Sequence, residues 1–96
     1  MADSALSSAR RTLATEIDVL QALSAALGDN FELAVTMLAE ISGRVIVSGM
    51  GKSGHIGSKI AATMASTGTP AQFVHPGEAS HGDLGMITSN DAVLAL

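Results

Sequence analysis

The chain has 96 residues, of which 47% are hydrophobic, 15% charged and 2% aromatic, which predicts one small globular unit and excludes a disordered or fibrous protein. Its formal net charge is −4 and its five lysines and arginines are scattered, so no basic cluster indicates nucleic-acid binding. The lack of cysteine, of a signal peptide and of a long apolar run predicts a cytoplasmic protein with no disulfide, thiolate zinc site or membrane span.

Residues 1–43 predict a helical hairpin arm. The first helix covers residues 4–27 and ends at Gly28, and Asp29 or Asn30 is expected to cap a second helix that ends before Gly43. The predicted apolar stripes are Leu6, Leu13, Ile17, Leu20 and Leu27 in the first helix, and Phe31, Val35, Leu38 and Ile41 in the second. Paired helices of this kind provide packing or oligomer contacts more often than chemistry.

Residues 44–96 predict the first half of a doubly wound α/β sheet with parallel strands. The predicted elements are a strand at 44–48, a helix at 53–67 with Ile56, Ile60 and Met64 on its apolar side, and strands at 71–75 and 92–96. A parallel sheet needs helices on both faces, and three strands with so few helices do not meet that need. We therefore expect an incomplete domain and, because a small chain buries little surface, association with other copies.

The loop GMGKSG contains Gly49, Gly51 and Gly54 in the spacing G-x-G-x-x-G between a strand and a helix. A nucleotide P-loop is excluded, because it needs a glycine five positions before Gly51, where Ile46 stands. A dinucleotide fingerprint is incomplete, because the next strand does not end in an acidic residue and Glu78 lies beyond it. The remaining interpretation is a site for a single phosphate or a sugar phosphate.

A glycine turn that leads into a helix offers backbone N–H groups and a positive dipole end to an anion. Ser48 and Ser53 would add hydroxyl donors, and Lys52 would add a full positive charge. Simpler roles stay open for two of these residues, since Ser53 can be a helix cap and Lys52 a solvated surface lysine.

The segment HPGEASHGDLGM concentrates His75, Glu78, His81 and Asp83 directly after a predicted strand. The carboxyl ends of parallel strands meet at one edge of a sheet, so this segment and the glycine loop are expected to share a site. Three roles stay open for these side chains: metal binding, proton transfer with Glu78 or Asp83 orienting an imidazole, and capping of a turn.

Residues 49–88 closely resemble the SIS (sugar isomerase) domain of bacterial D-arabinose 5-phosphate isomerases. The stretches GKSGHIG, ASTGTP and HPGEASHGDLGM carry the resemblance and are specific to that group. The resemblance implies the interconversion of D-arabinose 5-phosphate and D-ribulose 5-phosphate, which leads to lipopolysaccharide, with no cofactor. It also implies a flavodoxin-like parallel sheet and a homotetramer with sites built across subunits.

The resemblance also implies roles for individual residues. Lys52 matches the family's active-site lysine, His81 matches a histidine implicated in catalysis, and His75 matches a position linked to inhibitory zinc binding. The expected substrate-binding residues are Ser48, Gly49, Gly51, Ser53 and Glu78. The family continues with a serine-rich phosphate loop and a catalytic glutamate that these 96 residues do not contain. We therefore expect a partial SIS domain at residues 44–96, with a non-catalytic sugar-phosphate sensor as the alternative function.

Overall fold

The computed structural model describes residues 4–96, which form helices and one three-stranded parallel sheet. The elements are α1 (Ala5–Ala26), α2 (Asp29–Glu40), β1 (Val45–Ser48), α3 (Gly51–Ser66), β2 (Ala71–Phe73), α4 (Pro76–Ala79), a 3-10 turn (Asp83–Met86) and β3 (Ala92–Ala95). The predicted α/β class and parallel sheet are confirmed. Among residues 4–96, no helix is long and apolar enough to cross a membrane.

The chain divides into two compact units, Met1–Leu33 and Ala34–Leu96. These units describe compactness rather than function, so the domain boundary between residues 43 and 44 stays a prediction. In the first unit Ser4 caps α1, because its hydroxyl oxygen accepts a hydrogen bond of 3.0 Å from the backbone N–H of Ser7. The stripe predicted for α1 is exposed at every position: Leu6, Leu13, Ile17, Leu20 and Leu27.

The predicted cap of α2 is wrong. The helix already includes Asp29 and Asn30, and the carbonyl of Gly28 accepts hydrogen bonds from the N–H groups of Phe31 and Glu32 at 3.0 and 3.3 Å. Asp29 therefore lies in the first turn of α2, where its carboxylate stabilises the helix by interacting with the positive end of the helix dipole.

The core of the second unit is built on β1. Val45, Ile46 and Val47 are almost completely buried, as expected for the central strand of a parallel sheet. The strand order is β2-β1-β3, and β1 pairs with both neighbours in parallel. Ala61 of α3 forms one buried cluster with Val45 and Val47, so α3 covers one face of the sheet.

The predicted apolar side of α3 is partly wrong. Ile60 and Met64 pack against the core, but Ile56 is 57% exposed, and the buried side of the helix instead contains two glycines and Ala61. A Cβ atom on Gly57 would lie 3.1 Å from Cγ1 of Val47 and 3.2 Å from an edge carbon of the Phe73 ring. The helix thus approaches the sheet too closely for large side chains at these positions.

A polar network joins the beginnings of the strands at the other edge of the sheet. The side chain of Asp91 accepts hydrogen bonds from the backbone N–H groups of Arg44 (2.7 Å) and Thr88 (2.8 Å). The guanidinium of Arg44 donates to Oε1 of Gln72 in β2 (2.6 Å) and to the carbonyl of Met86 (2.8 Å). This network fixes the loops that enter β1 and β3, at the edge opposite the one predicted to bind a ligand.

We expect the Asp91→Asn variant to be less stable than the wild type at neutral pH, with the difference shrinking in acid. The backbone N–H donors from Arg44 and Thr88 lower the pKa of Asp91 below its ordinary value of 3.8. A lowered pKa contributes stability above pH 3.8 that is lost as the pH falls through the folded-state pKa. Urea denaturation from pH 7 to pH 3 checks this, with Asp18→Asn on α1 as the control; a pH-independent difference would contradict it.

Candidate functional site

The carboxyl edge of the sheet contains a cavity of about 340 Å³ between β1 and β3. The chain leaves β1 toward β2 on one side and later places β3 on the other side, so the connections diverge at this point. Such a switch point in an open parallel sheet is where ligands bind. The cavity is lined by Ser48, Gly49, Met50, Pro76, Ala95 and Leu96.

The glycine spacing is explained by close backbone approach in the turn between β1 and α3. A Cβ atom on Gly54 would lie 2.7 Å from the carbonyl oxygen of Gly49, which is closer than real Cβ contacts allow. A Cβ atom on Gly49 would lie 3.1 Å from the backbone of Ser53. Gly51 has a φ of 60°, a left-handed conformation that glycine adopts without strain. The spacing is thus a packing requirement of the turn and does not by itself indicate a dinucleotide.

The amino terminus of α3 is open to a ligand. The helix begins at Gly51 with Met50 as its cap residue, so the interpretation of Ser53 as the cap is wrong. The first three N–H groups of a helix have no partner within it, and here they belong to Gly51, Lys52 and Ser53. The side chains of Lys52 and Ser53 are exposed. This turn therefore presents backbone donors, a hydroxyl and an ammonium group to one region of solvent.

The hydroxyl of Ser48 has a structural partner. It donates a hydrogen bond of 2.6 Å to the carbonyl of Val74, which follows β2. The bond ties the end of β1 to the end of β2, so the hydroxyl proton is not free for a ligand while the bond lasts. The oxygen of Ser48 can still accept a hydrogen bond, and its role in substrate binding stays a prediction.

A second cavity of about 350 Å³ lies between the first turns of α3 and the end of β2. Its lining residues are Gly51, Gly54, His55, Ser58, Phe73 and His75. The sequence interpretation missed His55 and Ser58. The spacing of Gly51, His55 and Ser58 at i, i+4 and i+7 places them on one side of the helix, and this is the signal that could have identified them.

The segment after β2 folds into a short helix and a turn. Nδ1 of His75 accepts a hydrogen bond of 3.0 Å from the N–H of Gly77, so His75 caps α4, one of the roles left open by the sequence. Glu78, His81 and Asp83 are exposed, and the N–H of His81 donates to the carbonyl of Glu78 at 3.0 Å. Over residues 4–96, no side-chain hydrogen bond orients the ring of His81 toward Glu78 or Asp83.

The described residues do not bring three histidine or carboxylate side chains together as metal ligands. The cap bond also occupies Nδ1 of His75, the residue linked by resemblance to zinc. Nε2 of the ring takes no part in this bond, and the zinc role of His75 stays a prediction.

Comparison with known proteins identifies the same part of the chain. The sequence profile described as the SIS domain matches residues 37–96. The arabinose 5-phosphate isomerase KdsD of Pseudomonas aeruginosa is 62% identical over 89 residues, which is 93% of this chain and 27% of that protein. The arabinose 5-phosphate isomerase GutQ of Salmonella typhimurium is 57% identical over 94 residues, 98% of this chain and 29% of that protein.

The fold has a close counterpart among solved structures. The structure of Escherichia coli CFT073 c3406 in complex with A5P superposes with a TM-score of 0.74 and 36% sequence identity. The match covers 97% of this chain and 51% of that chain. The chain thus spans less than a third of the curated relatives and about half of the solved chain.

Proposed function

The chain belongs to the SIS domain family, and on that premise we propose that it forms part of a site that interconverts D-arabinose 5-phosphate and D-ribulose 5-phosphate. The observation that carries the proposal is the open amino terminus of α3 beside the switch point, in a chain whose relatives are named arabinose 5-phosphate isomerases. The solved neighbour is in complex with A5P, which supports a sugar phosphate as the ligand.

Aldose–ketose isomerisation needs an open-chain sugar, a base that moves a proton between C1 and C2, and stabilisation of the enediolate that forms. The reaction involves no net oxidation, so the substrate and protein groups supply what it needs. The amino terminus of α3 can bind an anion, and both the phosphate of the substrate and the enediolate are anions. We assign no residue of this chain as the base that moves the proton between C1 and C2.

Lys52 and His81 are the residues to which we give roles in the reaction. Lys52 would contact the negative charge of the phosphate or of the enediolate from the first turn of α3. His81 would move a hydroxyl proton during ring opening or transfer, because imidazole exchanges protons near neutral pH. Both side chains are exposed, which gives a ligand access to them.

Gly49, Gly51, Ser53 and Glu78 complete the proposed substrate-binding group, together with Ser48. Glycine at 49 allows the close approach of the turn to the backbone of Ser53, glycine at 51 allows the left-handed conformation, and Ser53 lies in the first turn of α3. Glu78 would accept hydrogen bonds from sugar hydroxyls, since a carboxylate has only acceptors to offer.

We also propose an assembly state, a cellular location and a pathway. By resemblance we propose a cytoplasmic homotetramer that supplies lipopolysaccharide synthesis. The exposed apolar stripe of α1 supports association with other copies, because such a stripe is unusual on a monomer surface.

A second candidate function is sugar-phosphate binding without catalysis. The specific observation in its favour is that no carboxylate of the described residues orients the ring of His81. A binding module needs the turn at the start of α3 but has no need of an oriented proton-transfer group.

One experiment separates these functions. Sedimentation of the chain with and without D-arabinose 5-phosphate measures ligand binding and assembly, and an assay for D-ribulose 5-phosphate measures turnover. The assay is run on the chain and on a chimera in which it replaces the matched segment of the Pseudomonas aeruginosa relative. Turnover by the chimera supports the isomerase, binding without turnover in both supports the binding module, and absence of binding in both overturns both proposals.

A further inference from the structure

We propose that the second cavity, between α3 and the end of β2, binds the sugar hydroxyl groups on C3 and C4, with His55 and Ser58 as the hydrogen-bonding residues. The phosphate of the same ligand would lie at the first turn of α3. The inference deepens the proposed function and rests on it, because it assigns a part of the proposed substrate to this cavity.

The cavity is large enough and open enough for a small ligand. Its volume of about 350 Å³ falls in the size range of small-molecule sites. Two of its lining residues, Gly51 and Gly54, have no side chain to fill it. A Cβ atom on Gly51 would meet no other residue within 4 Å, so the space beside the first residue of α3 is open. A ligand at the start of the helix can therefore extend into the cavity.

His55 and Ser58 have polar atoms to offer to a ligand. Within residues 4–96, neither side chain makes a hydrogen bond to another residue. A hydroxyl inside a helix can donate to the carbonyl four residues before it, as Thr12 does to Ser8 at 3.0 Å, but Ser58 does not. A serine hydroxyl and a neutral imidazole can each donate and accept, which is also true of a sugar hydroxyl.

The other walls of the cavity suit a neutral part of an anionic ligand. None of the described lining residues is acidic, and α3 contains no aspartate or glutamate. Phe73 adds an apolar wall, and such a combination of apolar surface with a few polar groups is typical of small-molecule sites. His75 also lines the cavity, but its Nδ1 already accepts a hydrogen bond from Gly77.

The spacing along α3 fits a phosphate at one end and hydroxyl groups beside it. His55 and Ser58 follow Gly51 by four and seven residues, about 6 and 10 Å along the helix axis. Lys52 precedes His55 by three residues, so their side chains are neighbours on the helix surface. Because C1 and C2 are the carbons that react, the hydroxyl groups on C3 and C4 are left for binding.

Two variants remove the proposed contacts one at a time. His55→Ala and Ser58→Ala change exposed side chains, so the melting temperature of each variant should match that of the wild type. The control is Thr63→Ala, which changes an exposed hydroxyl on the same helix outside the cavity lining. Lys52→Ala removes the charge at the phosphate end and serves as a comparison.

Isothermal titration of the chain with D-arabinose 5-phosphate and with inorganic phosphate tests the assignment. We expect His55→Ala and Ser58→Ala each to weaken binding of the sugar phosphate about 2- to 10-fold, the usual effect of one neutral hydrogen bond, and to leave inorganic phosphate unaffected. Lys52→Ala should weaken both ligands, and Thr63→Ala neither. Unchanged sugar-phosphate affinity in both cavity variants, or equal losses for the two ligands, overturns the proposal.

Turnover in the chimera gives a second readout. Contacts to C3 and C4 are made equally before and during the reaction, so both cavity variants should raise KM and leave kcat close to that of the wild type. A lower kcat at unchanged KM would contradict the assignment to C3 and C4.

The outcomes separate this inference from the proposed function. Turnover that neither cavity variant affects supports the isomerase and overturns the role of the cavity. Binding of D-arabinose 5-phosphate that depends on His55 and Ser58, without turnover in the chimera, overturns the isomerase and supports the cavity as part of a binding module. Absence of binding to both the chain and the chimera overturns both.

Discussion

Replacing His81 with Ala should lower the turnover of D-arabinose 5-phosphate by about 10²- to 10⁴-fold, the usual contribution of a positioned general acid or base. The ring is exposed and makes no hydrogen bond within residues 4–96, so its removal leaves no buried group unpaired. Thermal unfolding of the variant should therefore match that of the wild type, since exposed substitutions away from special features change stability little. The measurement is kcat in the chimera, beside a melting curve of each protein.

The control for this prediction is His81→Gln. Glutamine keeps hydrogen-bonding capacity but cannot move a proton near neutral pH, so it should lose about as much turnover as Ala. Near-normal turnover in His81→Gln would mean that the residue only binds the substrate. Unchanged kcat in His81→Ala would remove His81 from the mechanism altogether.

The fold could be predicted from the sequence where the signal is local. The β-branched run of β1 is short, apolar and bounded by polar residues and glycines, and this pattern has few interpretations other than a buried strand. The face of α3 that packs against the sheet could not be predicted in full. Ile56 fits the apolar period, yet Gly54 and Gly57 are buried instead, because the distance between helix and sheet is a tertiary property that periodicity does not contain.

The features of the candidate site that depend on local sequence could also be predicted, and those that depend on tertiary packing could not. The anion-binding turn at Lys52 could be predicted, because it depends on a strand, a glycine turn and a helix that follow one another in sequence. The bond from Ser48 to Val74 and the cavity lined by His55 could not, because they depend on how β2 and α3 are placed beside β1. For His75 the sequence left capping and metal binding open; the distance from its Nδ1 to the N–H of Gly77 shows the cap, and metal binding stays a prediction.

Replacing Lys52 with Ala should weaken binding of D-arabinose 5-phosphate by about 10- to 100-fold, because a hydrogen bond to a charged group contributes about 1.5–3 kcal/mol. The residue is exposed in the first turn of α3, where its charge adds to the positive end of the helix dipole. Salt should reduce binding more in the wild type than in the variant, since an exposed charge is screened. Isothermal titration at two ionic strengths measures both effects.

Lys59 is a matched control for this prediction, because it is an exposed lysine on the same helix. It follows Lys52 by two helical turns, about 10 Å farther along the axis. That separation exceeds the Debye length of about 8 Å at physiological ionic strength, so Lys59→Ala should leave affinity nearly unchanged. Equal losses in Lys52→Ala and Lys59→Ala would mean that the helix attracts the phosphate only through its overall charge, and that the first turn of α3 is not the site of contact.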